Sequence, residues 1–222
     1  MDNTHQPEAR IVALFTGLPR SRTVSGSALF TGGAKDRVEA AFLGFDGFQG
    51  DGPGNLRHHG GRDRSVCVYP AGHYAWWKAA HGIDLREGAF CENLSVEGVQ
   101  ESAVCIGDIF RAGSALVQVT LPRDPCRTLD LLSGVTDLWK LARDSGRCGF
   151  HMRTLEEGTV RSGDPFELVQ RHPENITVAA ALDLFHGRST DLVLARRLID
   201  MPDFGEQGKR HIAERLGLKR PS

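Results

Sequence analysis

The amino-acid sequence predicts a mainly β fold with inserted helices, followed by a small C-terminal segment of three helices. Glycine is abundant, 26 of 222 residues, and most of it lies before residue 165, between short apolar runs, as in β-rich folds with many turns. Helical periodicity breaks this pattern only locally, and after His172-Pro173 the pattern becomes helical throughout. The boundary falls near residue 171, giving a β domain over 1–170, with its core at about 28–169, and a helical segment over 171–222.

Residues 65–69 read as a buried strand, and 71–80 as a helix presenting Trp76, Trp77 and Ala80 to the core. Strands at 109–111 and 115–120 flank Ala112-Gly113-Ser114, a hairpin connection. A second inserted helix spans 136–145, with Leu138 and Leu141 three apart and Gly146 as its stop. Residues 166–169 form a closing strand after the turn Ser162-Gly163-Asp164. In the tail, Thr177 caps a helix over 178–186, Asp191 starts one running to Met201, and a third over 206–216 ends at Gly217. Three short helices bury little surface alone, so they must pack on the β domain or on a second subunit of a homodimer.

The chain is 40% hydrophobic and 25% charged, with 27 basic against 28 acidic residues. That balance creates no net field for nucleic acid or an anionic membrane. The first ten residues are polar and the apolar run at 11–15 is too short for a secretion signal. No stretch approaches the ~18 apolar residues of a membrane span. The expectation is a cytoplasmic protein whose five cysteines are free thiols. Cys67, Cys105 and Cys148 lie in or beside apolar strand-like segments and read as core residues.

Four clusters carry candidate chemistry. Leu121-Pro122-Arg123-Asp124-Pro125-Cys126-Arg127 follows an apolar strand, and its two prolines stiffen a loop that ends in a thiol. Guanidinium charge on either side favours the thiolate, the form that attacks electrophiles and binds soft metals. Local sequence alone reads Cys126 more readily as a small buried residue at a turn. Gly50-Asp51-Gly52 and His58-His59-Gly60-Gly61-Arg62-Asp63-Arg64 have the composition of an anion site, since glycines allow close backbone approach and His and Arg donate to phosphate. A solvated turn is the plain alternative, and zinc is disfavoured because adjacent histidines point apart and no partners stand at zinc spacing. In Gly88-Ala89-Phe90-Cys91-Glu92-Asn93-Leu94, Glu92 is either a general base or, as its apolar setting favours, an acceptor of backbone N–H bonds. Gly146-Arg147-Cys148-Gly149-Phe150-His151-Met152-Arg153 is basic and glycine-flanked, suited to an anionic pocket or a plain connection.

Taken in order, these clusters resemble the MOSC family, named after the C-terminal domain of molybdenum-cofactor sulfurase, and within it the bacterial YiiM type. Thr31-Gly32-Gly33-Ala34-Lys35 looks like its early Thr-Gly-x-x-Lys element, and residues 44–64 look like its Gly-x-x-Gly-Asp and His-Gly-Gly-x-Asp-Arg elements. Glu92-Asn93-Leu94, Gly107-Asp108 and Pro122-Arg123-Asp124-Pro125-Cys126 match later ones, and residues 172–216 resemble the three-helix tail of that type. The resemblance implies a compact β-barrel-like domain in which Cys126 is the molybdenum ligand of a Mo–molybdopterin cofactor. Basic and polar residues would grip the pterin and its phosphate: Lys35, His58, His59, Arg62, Arg64, Glu92, Asn93, Arg123, Arg147 and Arg153 are the candidates.

Related proteins reduce N-hydroxylated compounds such as hydroxylaminopurine and amidoximes, a detoxifying reaction, with electrons from a separate flavin or haem reductase. This chain shows no flavin, haem or iron–sulfur motif of its own, so the resemblance implies such a partner. Where the family usually has glycine before Glu-Asn-Leu, this chain has Cys91, which either packs under the loop or stands as a second thiol near the metal. Two other functions stay open: a carrier of molybdenum cofactor without catalysis, and a cysteine nucleophile with His58 or His59 as base.

Overall fold

The computed structural model describes residues 9–24 and 26–218, with the side chains of Ser27 and His58 left out. The N-terminal part holds β1 (Arg10–Thr16), the hairpin of β2 (Arg20–Val24) and β3 (Ser27–Thr31), then β4 (Asp36–Val38), β5 (Ala40–Gly44), β6 (Gly47–Phe48) and a short α1 (Leu56–His59). After a single 3-10 turn come β7 (Val66–Pro70), α2 (Gly72–His81), β8 (Leu94–Glu97), β9 (Ile109–Ala112) and β10 (Ala115–Pro122). Helices α3 (Thr128–Ser133) and α4 (Leu138–Ser145) precede β11 (Phe150–Glu156), β12 (Gly158–Arg161) and β13 (Phe166–Gln170). The tail is α5 (Val178–His186), α6 (Leu192–Asp200) and α7 (Glu206–Leu216).

The main sheet runs β13-β9-β10-β11-β7-β8-β1-β4, antiparallel except for the parallel pair β7–β8. It curls until β13 at one end meets β1, the last strand but one at the other. Phe166 N–H donates to Ala9 C=O at 2.8 Å, Ile11 N–H to Asp164 C=O at 3.0 Å and Gly163 N–H to Ile11 C=O at 2.7 Å, so the turn into β13 closes on β1. Closure removes the open edges that would otherwise leave backbone groups unpaired. The predicted mainly β, barrel-like fold with inserted helices and a three-helix tail is therefore the observed one.

Strand β7 is buried at every position, as a continuous apolar run in the middle of a covered sheet requires. Against it α2 places Trp77, fully buried, whose Nε1 donates to Tyr69 Oη at 2.7 Å, while Tyr69 stacks on Phe90 with centroids 3.9 Å apart. Ala80, expected on the core face of this helix, is exposed, because the helix buries the line of His73 and Trp77 instead. The helix expected over 136–145 begins at Leu138, since Asp137 takes a left-handed φ of 60°.

The tail joins the same core instead of packing as a separate unit. Thr177 caps α5 by accepting from Ala180 N–H, Asp191 caps α6 by accepting from Val193 and Leu194 N–H, and Gly217 ends α7 in the left-handed region. Five of the nine α5 residues are buried, and they belong to one apolar cluster with the sheet. At Gly208, α7 lies so close to the barrel that a Cβ would stand 2.5 Å from both Leu121 and Phe204. Truncating Trp77 to alanine should cost roughly 3–5 kcal/mol of stability, by cavity creation and by removing the donor to Tyr69; urea unfolding monitored by far-UV circular dichroism measures it.

Candidate active site

Strand β10 ends at Pro122 and delivers the loop Arg123-Asp124-Pro125-Cys126 to the mouth of a cleft. Three anchors hold this loop. Arg123 is buried, its N–H donating to Gly149 C=O at 3.1 Å and its Nη1 to Cys148 C=O at 3.3 Å. Asp124 accepts a bidentate pair from Arg143, at 2.7 and 2.8 Å, and a contact from His186 of α5 at 3.2 Å. Burial alone would raise the Asp124 carboxyl, but the His186 and Arg143 hydrogen bonds bring it below its ordinary value. Such a fork is the strongest geometry an arginine offers a carboxylate.

The loop leaves Cys126 exposed, whereas Cys67, Cys105 and Cys148 are buried, as their apolar segments predict. The reading of Cys126 as a small buried turn residue therefore gives way to a thiol presented at a site. Its thiol is brought down to about 7, chiefly by a hydrogen bond from His59 that overcomes partial burial, with help from the Thr128 side chain and backbone. The expected role of the flanking arginines is corrected here. Arg123 turns inward among Cys67, Cys91, Cys148 and Glu92, and Arg127 is exposed to solvent. Burial pushes Cys67 up and Cys91 to about 12, so among the thiols of the cleft only Cys126 is readily a thiolate.

The cleft encloses about 350 Å³, and Lys35, His59, Arg64, Asn93, Arg123 and Cys126 stand in its wall. Its floor is two backbone loops in direct contact. A Cβ on Gly32 would lie 1.8 Å from Gly52 C=O, so the glycines of the early elements let these loops meet. Asp51 binds Gly17 N–H and Asn93 Nδ2 at 2.9 and 2.8 Å and pairs with Lys35 Nζ. Lys35 is thus a cleft-wall residue already engaged with an acid. Asn93 also accepts from Cys67 N–H at 3.0 Å and donates to Phe15 C=O at 3.2 Å.

Other sequence candidates do not line this cleft. Glu92 points away from it, fully buried, and accepts from Tyr74, Gly88 N–H and Ser95, which is the backbone-accepting role its setting favoured. Arg62 lies exposed against Asp46, Arg153 pairs with Asp63 and the Asp203 carbonyl, and Arg147 stacks on Trp76 at 3.7 Å. The side chain of His58 lies outside the described residues. Thr128 escapes sequence reasoning, and His151 enters it only as a member of the basic cluster at 146–153. Thr128 touches the thiol through its hydroxyl and its N–H, a position only the unforeseen helix α3 creates. His151 lines the cleft from β11 with its Nδ1 shielded from water and without a partner among the described residues. Burial, with Arg64 and Arg123 adding repulsion, holds it well below the usual histidine range, so it is neutral. The pairing of β11 with β7, which sets His151 beside Cys67, is the signal that would have revealed it.

The sequence model of the MOSC domain matches residues 55–167, the span that carries β7 to β11 and the thiol loop. A Bacillus subtilis protein, YflK, is 37% identical over 195 residues, covering 87% of this chain and 88% of its own length. This chain belongs to the MOSC family. The crystal structure of YiiM from Geobacillus stearothermophilus superposes with a TM-score of 0.78 at 29% identity, over 94% of this chain and 99% of that one. A protein of Gibberella moniliformis named "Reductase" is 32% identical over 148 residues, 65% of this chain and 26% of its own length.

Cys91, where the MOSC family usually has glycine, adopts a left-handed φ of 58°. The position therefore demands the conformation that glycine takes freely and other residues take at a cost of roughly 1–2 kcal/mol. Its sulfur faces Gly33, where a Cβ would stand 3.2 Å from it and 3.0 Å from Leu132 Cδ1, so Cys91 narrows the cleft and leaves little room for a side chain opposite. Alkylation by iodoacetamide at pH 7.5, mapped by mass spectrometry, should modify Cys126 ahead of the other four thiols, with a rate that rises through about pH 7. In His59→Ala the midpoint should move up toward the ordinary thiol value near 8.5; an unchanged midpoint would remove His59 from this role.

Proposed function

We propose that this MOSC protein is an oxidoreductase that holds Mo–molybdopterin through Cys126 and reduces N-hydroxylated small molecules, with electrons from a separate flavin or haem reductase. The observation that carries this reading is an exposed thiol, poised as thiolate at about 7, in the wall of a cleft whose Arg64, Arg123 and His59 are donors suited to an anion.

The residues fit the cofactor. Among the described residues no three His, Cys, Asp or Glu side chains converge as a metal site, and of the cleft thiols Cys126 is the one readily ionised, which suits a metal that brings its remaining ligands with it. The buried, unpartnered Nδ1 of neutral His151 calls for a hydrogen-bond partner from an occupant, and a pterin carries both donors and acceptors. When bound, the cofactor supplies the two-electron redox chemistry that side chains lack. The overall reaction takes one N-hydroxylated amine, two electrons and two protons to the amine and water. The protein holds Sγ of Cys126 as a thiolate, neutralises phosphate and orients the substrate. Free thiols accord with a reducing, cytoplasmic setting, and no helix among the described residues is long and apolar enough to cross a membrane.

The hydrogen bond between His59 and Cys126 also favours a second reading, a cysteine nucleophile with His59 as its base. Protein made in a cofactor-competent host should contain molybdenum and release fluorescent oxidised pterin. Cys126→Ala should lose at least about a hundredfold in reduction of an amidoxime with a competent reductase, and most of its metal. Turnover by metal-free protein would establish the nucleophile instead, and bound cofactor without any reduction would make the protein a carrier.

A further inference from the structure

A second, wider cleft of about 1250 Å³ opens beside the first, and Gly33, Lys35 and Cys91 line both. Its acids are already matched by basic partners: Asp36 with Arg20 at 2.8 Å, Asp84 with Lys78 at 2.9 Å and Glu87 with Arg37 at 3.3 Å. Two cations are left over. Arg22 and Arg86 line the cleft with no acid partner among the described residues, and Arg22 Nε is shielded from water without any hydrogen-bond partner there. Arg22 is half-buried and Arg86 exposed, and the shielded Nε of Arg22 is a donor that an anion's oxygen would satisfy. Phe15, Leu85 and Leu132 add apolar surface to the wall of this cleft. Two arginines without acid partners, apolar side chains and Cys91 thus line one space larger than the ~300–1,000 Å³ of common small-molecule pockets.

We propose that this second cleft admits phosphorylated substrates of the size of a nucleoside monophosphate, with Arg22 and Arg86 receiving the phosphate and the apolar wall flanking the ring that approaches the thiol cleft. The phosphate preference is argued from the arginines of this cleft alone; only the N-hydroxylated nature of the substrate rests on the reductase reading. Phosphate can also reach the cleft as the nucleotide tail of a dinucleotide form of the cofactor, and the experiment separates the two sources.

Calorimetric titration of the purified protein with AMP and with adenosine requires no turnover. AMP should bind about tenfold more tightly, the effect of a charge-assisted phosphate contact. The preference should vanish in Arg22→Ala/Arg86→Ala, return in part in Arg22→Lys/Arg86→Lys, and persist in Cys126→Ala. Equal affinity for the two ligands, or a preference unchanged in the double alanine variant, would overturn the proposal. Stoichiometric nucleotide released by acid hydrolysis of the protein as isolated would assign the phosphate to the cofactor and overturn the substrate assignment. An AMP preference in protein that reduces no N-hydroxylated compound would uphold the cleft while removing the reductase reading. With activity present, kcat/KM for N6-hydroxy-AMP over N6-hydroxyadenosine should fall about tenfold in the double alanine variant.

Discussion

The side chain of Asn93 acts as a peptide group inserted between strands. Its Oδ1 accepts from Cys67 N–H of β7, its Nδ2 donates to Phe15 C=O of β1 and to Asp51, and its own backbone binds both Cys67 and Phe15. A carboxamide has a C=O acceptor and two N–H donors in a plane, one donor more than a peptide group, and the extra donor reaches Asp51. Loss of that amide would strand several buried polar groups, each costing about 1–3 kcal/mol. Through Asp51 the same group fixes Lys35 and the Gly17 turn. The cleft floor therefore inherits its shape from the barrel rather than from flexible loops.

Much of this architecture is readable in the sequence because it is written in local chemistry. Thr177, Asp191 and Gly217 announce helix ends through groups that bond their own neighbours, and the apolar run of β7 and the hairpin of β9 and β10 carry strand signals within a few residues. The early strands β2 to β6 are short and mostly exposed, and all but β4 are paired outside the main sheet, so they leave no clear periodicity. The ordered motifs locate the thiol and the glycine floor, but not which way each side chain faces. Glu92 and Asn93 are adjacent and point to opposite sides of the chain, one into an internal hydrogen-bond cluster and one to the cleft. Arg123 and Cys126 share a loop yet only the cysteine reaches solvent. Such facts depend on long-range packing that no window of sequence contains.

The five thiols show how strongly environment sorts one functional group. Desolvation dominates for Cys67 and Cys91, whose sulfurs lie in the low-dielectric wall, while hydrogen bonds from His59 and Thr128 dominate for Cys126. Two nearby cysteines in one cleft are thus chemically unlike, one inert and shape-giving, the other reactive. The left-handed backbone at Cys91 has the mark of a strained position kept where a site needs it.

The contact between His186 and Asp124 ties the end of α5 to the loop that presents the thiol. Whatever settles in the cleft and braces that loop also braces the tail, and any opening of the tail withdraws a support from the loop. Local unfolding of the end of α5 would cost the loop that contact, while the Arg143 fork would remain. The tail serves as a tensioner on the reactive loop, and its sequence can adjust how firmly the thiol is held without a single change in the cleft itself.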